Sequence, residues 1–469
     1  MKQKSGAIDP NARIAIIGAG PAGLSTAWFL LKNGFRNVTV LEKLGRVGGL
    51  CKSITIDGMS YDIGANYVTW AYRETLKIAK EVGATTYEEK PYTTIYVHSN
   101  GEERAEYRSL KEAILFNPYT KKKVSLWSFI IAAIRYLWIR YGLNSVINPP
   151  DAFSKINQRP DLCVPFRDWL ESNRLLDLAS LFEIPTTIMG YGHLTKLATP
   201  YALRYMPIKT FLPMVLPIKI LFPWPRRFTF GFQRLWEKVS WRTNLRLNAM
   251  IHQIERQPGG KIVIHFKYIE QELDTIKIVE EIPPMEFDYM VLACPLTPDV
   301  FKQLGLERND WERKMSEKIR VNPYCMTTFW VNNMEMPKPI APTLPIHKLG
   351  SPWAVARQFQ DLGNYFTQFY TRPEPDQSDE QVIEKVRELV SLLGGEIDET
   401  QSRWHGFDRF TYFQHVTSKD FADGFYSDLS ENQGRDRTFY VGGVTDFELV
   451  EPIVEHSKYL VEKHFVGSS

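Results

Sequence analysis

Arg13-Ile-Ala-Ile-Ile-Gly18-Ala-Gly20-Pro-Ala-Gly23-Leu24 is the stretch that decides the fold. A short apolar run, Arg13 to Ile17, ends in glycines spaced Gly18-x-Gly20-x-x-Gly23, and Leu24 to Lys32 then carries apolar residues at helical spacing until Asn33-Gly34 stops it. Val38-Thr-Val-Leu41 comes next as a second strand closed by Glu42. Strand, glycine turn, helix, strand and terminal acid in this order mark a dinucleotide-binding unit. Gly18 permits the tight turn, Gly20 lets main chain approach a pyrophosphate, and Gly23 lets the helix pack closely on the sheet. The helix start at Pro21 and Ala22 offers N–H groups and a partial positive charge to phosphates. Glu42, 19 residues after Gly23, is placed to accept hydrogen bonds from ribose hydroxyls, and its charge disfavours a 2′-phosphate.

Working outward, later segments return to the same unit. Leu245 to Phe266 reads as two strands around the turn Gln257-Pro-Gly-Gly260, Phe287 to Ala293 as a buried strand, and Thr438 to Gly443 as a strand entering a glycine turn, with helical spacing from Glu451 to Val466. Residues 1–95, 228–300 and 424–469 are therefore expected to form one discontinuous domain, with 96–227 and 301–423 forming an inserted substrate domain. The chain has 469 residues, long enough for about three domain-sized units. Its 57 Lys and Arg against 54 Asp and Glu leave a charge of +3, which argues against a nucleic-acid binder. Four scattered cysteines without a CxxC pair argue against a disulfide framework and a zinc site, so reduced thiols, no metal and a cytoplasmic setting are expected. Met1 to Ala12 reads as polar, without a secretory signal.

The segment after Glu42 narrows the cofactor. Glu42-Lys43-Leu-Gly-Arg46-Val-Gly48-Gly49 resembles the extended fingerprint of FAD enzymes of the amine oxidase superfamily, and Tyr61-Asp62-Ile-Gly64-Ala65-Asn66 resembles the next element, whose backbone borders the isoalloxazine ring. Phe230-Gly231-Phe-Gln233-Arg-Leu235 resembles the Gly-Gly-x-x-x-Leu element, Ile251-His-Gln-Ile254 the strand whose backbone contacts adenine, and Gly442 the glycine of the C-terminal flavin motif. The acid usual after that glycine is Gly443 here, so those contacts are expected from backbone or from Asp446. The resemblance implies an α/β fold: a Rossmann-type, glutathione-reductase-like FAD-binding domain with an inserted mixed α+β substrate domain.

Gly190-Tyr191-Gly192-His193, Pro200 to Tyr205, Phe413-Gln-His415-Val-Thr-Ser418, Gly434 to Tyr440 and His456-Ser-Lys458 are similar to the bacterial polyunsaturated fatty acid (linoleate) isomerase group. That likeness implies a shift of double bonds by hydride abstraction to flavin N5 and return, inside a dry aromatic channel. The chemistry calls for no acid–base dyad; Tyr191, His193, Met189 and His415 are the candidates to line the substrate site, although a lone histidine in such a segment is more often structural. Two positions depart from the group: Thr93 and Thr94 stand where a basic residue anchors the carboxylate, and Met189 where an aromatic gates the channel. A neutral ester, a phospholipid acyl chain or a polyene thus remains a candidate substrate beside the free fatty acid. An FAD-dependent oxidase or desaturase of an amine or polyene, and a non-catalytic flavin-binding protein peripheral to a membrane, stay open as alternatives.

Aromatic residues make up 13% of the chain, and several, among them Trp127, Trp138, Phe211, Phe222, Trp224 and Phe228, gather in the first insertion. Residues 124–141 are apolar apart from two serines and two arginines, which argues against a spanning helix and leaves buried wall or an interfacial helix on a membrane. Four prolines between Phe211 and Phe230 rule out one continuous helix there.

Overall fold

The computed structural model describes residues 7–89, 95–98, 106–216, 223–272, 275–334, 340–342, 349–357 and 365–467. Thr93, Thr94, Pro217 and Phe222 lie outside the described residues.

Ile14–Ile17 is wholly buried and pairs in parallel with Val38–Leu41 on one side and Tyr289–Leu292 on the other. Asn244–Arg246 and Thr438–Tyr440 complete a five-stranded parallel sheet on its two edges. Parallel neighbours need crossovers, so the chain leaves this sheet and returns to it from distant positions. The helix Pro21–Lys32 buries nine of its 12 residues between this sheet and the helix Val450–Leu460. Pro21 occupies its first turn, where no intrahelical donor is lost. Glu451 of the C-terminal helix caps a neighbour across space: its carboxylate accepts from the N–H groups of Glu74 and Thr75, at 2.7 and 3.0 Å, at the start of Arg73–Glu81.

Ala249–Arg256, Ile262–Glu272, Thr275–Glu281 and Met285–Phe287 form a four-stranded antiparallel sheet beside the parallel one. A second, six-stranded antiparallel sheet contains Pro352–Arg357, Phe366–Thr371, Arg320–Asn332 and Gly406–His415. One hydrophobic core runs from the parallel sheet into a helical layer that includes Leu126–Gly142, Ala179–Ile188 and Thr199–Tyr205. Arg204 bolts that layer to the C-terminal loop. Its guanidinium donates to both oxygens of Asp446, at 3.0 and 2.7 Å, to Glu455 at 3.2 Å and to the Asn148 carbonyl at 2.5 Å.

The stretch from residue 124 to 141 forms the helix Leu126–Gly142, with Ser125 capping its start. Pro213 sits inside the separate short helix Ile208–Val215. No helix among the described residues is long and apolar enough to cross a membrane.

Candidate functional site

The glycines of the first turn separate into two kinds. Gly18 has φ +108°, and a Cβ there would lie 2.8 Å from the Ala293 carbonyl oxygen; a Cβ on Gly23 would lie 1.9 Å from the Gly18 oxygen. Both are demanded by the protein's own packing. Gly20 is different: its φ of −77° suits any residue, and a Cβ would meet nothing nearer than the Gly49 Cα at 3.7 Å. Gly442, with φ +147°, likewise faces open space, with no atom within 4 Å of where a Cβ would stand. Gly20, which packs against Gly49, leaves a cradle that a side chain would fill, and Gly442 leaves open space of its own.

Charge around the cradle fits a dinucleotide. The helix Pro21–Lys32 has no side-chain cap and no acid in its first turn, so its positive end is uncancelled. Half-buried Arg46 donates to the Gly49 carbonyl at 2.9 Å and has no carboxylate at ion-pair distance among the described residues. Burial pulls its pKa down, against the pull of Asp408 and Glu42. The two oxygens of Glu42 accept from the N–H groups of Ala19 and Leu44, at 2.7 and 2.8 Å, and each keeps a further lone pair for a hydroxyl. Lys43 beside it is exposed, whereas Ile251 is buried on the neighbouring strand. Gly48 closes the turn after Arg46 with φ +99°.

Gly64 runs so close to the turn at Leu50 that a Cβ would lie 1.8 Å from the Leu50 oxygen, and Ala65 donates to that same oxygen at 3.0 Å. Asn66 comes next and hydrogen-bonds the Tyr370 hydroxyl. Asp62 explains the motif's acid: its carboxylate takes Ser53 Oγ at 2.6 Å and the Phe232 N–H at 2.7 Å, tying the Phe232–Ser240 helix to this segment. Burial pushes that carboxyl up to about 6.

A wall of tyrosines faces this segment. Tyr67, Tyr205, Tyr324, Tyr370 and Tyr412 are only half-buried, yet loss of bulk water raises every one of their hydroxyls above the ordinary phenol range. The rings form a chain: Tyr370 to Tyr324 at 6.2 Å between centroids, Tyr324 to Tyr412 at 5.6 Å, Tyr412 to Tyr191 at 5.7 Å and Tyr191 to Tyr205 at 5.1 Å.

Glu448 supplies an acid that no motif announced. A Cβ on Gly443 would lie 2.8 Å from the Glu448 carboxyl carbon, so the Glu448 side chain fills the room that an acid at 443 would use. The carboxyl accepts from the N–H groups of Phe413 and, at 2.7 Å, Gln414. To present both, the strand Gly406–His415 breaks register and Phe413 takes φ +46°. Burial pushes the Glu448 carboxyl up to about 7. Asp446, offered beside backbone as the source of the C-terminal motif's contacts, has both carboxylate oxygens bound by Arg204.

The four candidates for the substrate site do not converge. Tyr191 sits in the tyrosine wall, its hydroxyl donating to the Glu448 carbonyl at 3.1 Å. His415 lies one layer behind, stacked on Phe413 at 4.6 Å with Nδ1 donating to the Phe413 carbonyl at 2.8 Å. Burial lowers its pKa to about 4, so it is neutral. His193 turns elsewhere: Nδ1 meets Thr195 at 2.8 Å and Nε2 lies 3.6 Å from Glu183, whose carboxyl also binds Tyr119. Gly192, at φ +110°, is what sends Tyr191 and His193 apart. Met189 follows the helix Ala179–Ile188 and is 38% exposed.

Fold and cradle together define a flavoprotein. The family model for flavin containing amine oxidoreductase matches residues 21–443, so the chain belongs to that family, and FAD is its cofactor. The crystal structure of the CLA-producing fatty acid isomerase from P. acnes is similar over 98% of this chain and 100% of its own, with a TM-score of 0.80 and 25% identity. A putrescine oxidase triple mutant shares the fold over 98% of this chain and 99% of its own, at TM-score 0.66 and 16% identity. In sequence, the polyenoic fatty acid isomerase of Ptilota filicina is 37% identical over 75 residues, 16% of this chain and 15% of that protein. Protoporphyrinogen oxidase 2 of Arabidopsis thaliana is 37% identical over 91 residues, 19% and 18%. The sequence matches therefore span less than a fifth of these curated relatives.

Proposed function

We propose that this chain is an FAD-dependent isomerase that shifts the double bonds of a polyunsaturated fatty acid or acyl lipid. The observation that carries this reading is the continuous tyrosine wall Tyr370–Tyr324–Tyr412–Tyr191–Tyr205. It is supported by the full-length likeness to a fatty acid isomerase. FAD, when bound, supplies a two-electron carrier that takes up a hydride from a doubly allylic carbon and gives it back, so that no net oxidation results.

The protein's part is to hold, orient and keep dry. Gly20, Gly49 and Arg46 take the pyrophosphate, Glu42 the ribose, Ile251 the adenine side, and Gly64 to Asn66 with Gly442 the flavin side. With hydroxyl pKa values raised by burial, the tyrosines stay neutral, and their ring faces favour a cation developing on the diene. Tyr191 is pinned by the Glu448 carbonyl, which fixes the ring that links Tyr412 to Tyr205. In this scheme the parallel and four-stranded sheets are the cofactor unit, and the six-stranded sheet and helical layer are the substrate unit.

The test is anaerobic incubation of the holoprotein with linoleate, and with a phospholipid carrying it. Conjugated-diene absorbance with the flavin oxidised at the end supports isomerisation. Bleaching of the flavin that persists until air is admitted assigns the chain to the oxidases or desaturases.

A further inference from the structure

The helix Leu126–Gly142 has two faces of unusual contrast. Inward it buries Ala132, Ala133, Tyr136 and Arg140, with Tyr136 packed on Phe211 of the Ile208–Val215 helix at 4.4 Å. Arg140 is fully buried and its terminal nitrogens donate to Asn144, Asn148 and the Leu203 carbonyl, so its charge stays off the outer face. Outward, Trp127 is 77% exposed, Ile131 56%, Ile134 63%, Trp138 79% and Tyr141 73%. Steps of four and three residues put these side chains on a single stripe. Soluble surfaces rarely leave so many large apolar groups together.

Charge tells which partner fits. Lys121, Lys122 and Lys123 are all exposed immediately before the helix, and the last two are fixed in a small hairpin against Phe116–Asn117. The stripe itself carries no acid, so a second copy docked on it would bring no negative charge to the lysines. An anionic lipid surface would. Trp and Tyr, apolar bodies with one polar handle, are the side chains that settle at the boundary between headgroups and acyl chains. At 17 residues the helix is roughly 25 Å long, and one side is committed to the core, so it can lie in that boundary but not cross it.

We propose that this face seats the protein on an anionic bilayer, with the stripe from Trp127 to Tyr141 in the interface and Lys121 to Lys123 on the headgroups. It stands on the exposed face alone and holds whichever reaction the FAD serves. The experiment is flotation of the full-length holoprotein with vesicles of phosphatidylcholine, with and without phosphatidylglycerol, alongside light scattering without lipid. Flotation with the anionic vesicles is expected, together with a blue shift of tryptophan fluorescence and quenching by brominated lipid. Each lysine near such a surface is worth about fivefold in partitioning, so K121A/K122A/K123A is expected to lose about a hundredfold. W127E/W138E is expected to abolish flotation while keeping its flavin absorbance; the wild-type fluorescence shift and quenching read the same contact without any substitution. Absence of flotation and of quenching overturns the proposal. So does undiminished flotation of W127E/W138E, or a lipid-free dimer that W127E/W138E splits.

Discussion

Replacing Gly20 by alanine separates cofactor space from packing space. In the protein alone the new methyl meets only the Gly49 Cα, at an ordinary 3.7 Å, and the backbone already has φ −77° and ψ −177°, open to any residue. Two small effects on the fold oppose each other. Losing glycine's freedom in the unfolded chain stabilises by about 0.4–1 kcal/mol, while alanine at the N-cap of Pro21–Lys32 costs a similar amount of roughly 0.5–1 kcal/mol. The melting temperature of the deflavinated protein should therefore move by no more than about 2 °C. With the pyrophosphate seated as proposed, the methyl would occupy the space where phosphate approaches main chain. Overfilling a close contact costs about 1–3 kcal/mol, which weakens FAD binding by about 5- to 150-fold. Gly23→Ala is the contrast: its Cβ would stand 1.9 Å from the Gly18 oxygen, so the apoprotein itself should be destabilised and melt lower. Calorimetric titration of each apoprotein with FAD, with a thermal melt of the same samples, reads both quantities. Unchanged FAD affinity in Gly20→Ala, or an apoprotein as badly destabilised as Gly23→Ala, would refute the assignment of that space to the cofactor.

Three other outcomes are expected from the structure. Asp446→Ala strips Arg204 of its two-pronged partner and should cost about 3 kcal/mol in urea unfolding, most of it recovered by Arg204→Met with Asp446→Leu; a loss under about 1 kcal/mol would contradict the buried bolt. Glu448, whose carboxyl rises from 4.5 to about 7 on folding, binds its proton more tightly in the native state. Its stabilising contribution is complete below pH 4.5 and is lost as pH climbs towards 7, so denaturation midpoints should decline across that window more steeply in wild type than in Glu448→Gln; parallel curves would count against it. Tyr324→Leu removes one ring face from the tyrosine wall and should lower kcat/KM for a dienoic substrate by about 2- to 30-fold with flavin content intact, and an unaltered rate would remove the ring from the mechanism.

The dinucleotide turn was legible because its constraints are local. Gly18, Gly23 and the start of the Pro21–Lys32 helix lie within one strand–turn–helix, where each glycine answers to a neighbour a few residues away. The tyrosine wall was not, because Tyr324, Tyr370 and Tyr412 meet only through the register of three strands, with Tyr370 opposite Met326 and Tyr412 opposite Asn322. No spacing rule reveals that pairing. Glu448 was hidden for a related reason: it reaches back in space to the side-chain position left vacant at Gly443. His193 follows the commoner pattern for a lone histidine, a structural one. Adjacent in sequence to the Tyr191 segment, it is turned away by Gly192 and joins Glu183. The aromatic run of 124–141 was weighed between buried wall and surface, and the helix it forms has one face of each.

Movement of double bonds without net oxidation is the property on which the proposed function stands. Its most direct measurement is the mass and ultraviolet spectrum of the product formed from linoleate by the holoprotein in air, with oxygen uptake followed in the same vessel. A conjugated diene of unchanged mass and no oxygen uptake is the predicted result. A product two hydrogens lighter, formed as oxygen is consumed, would contradict it.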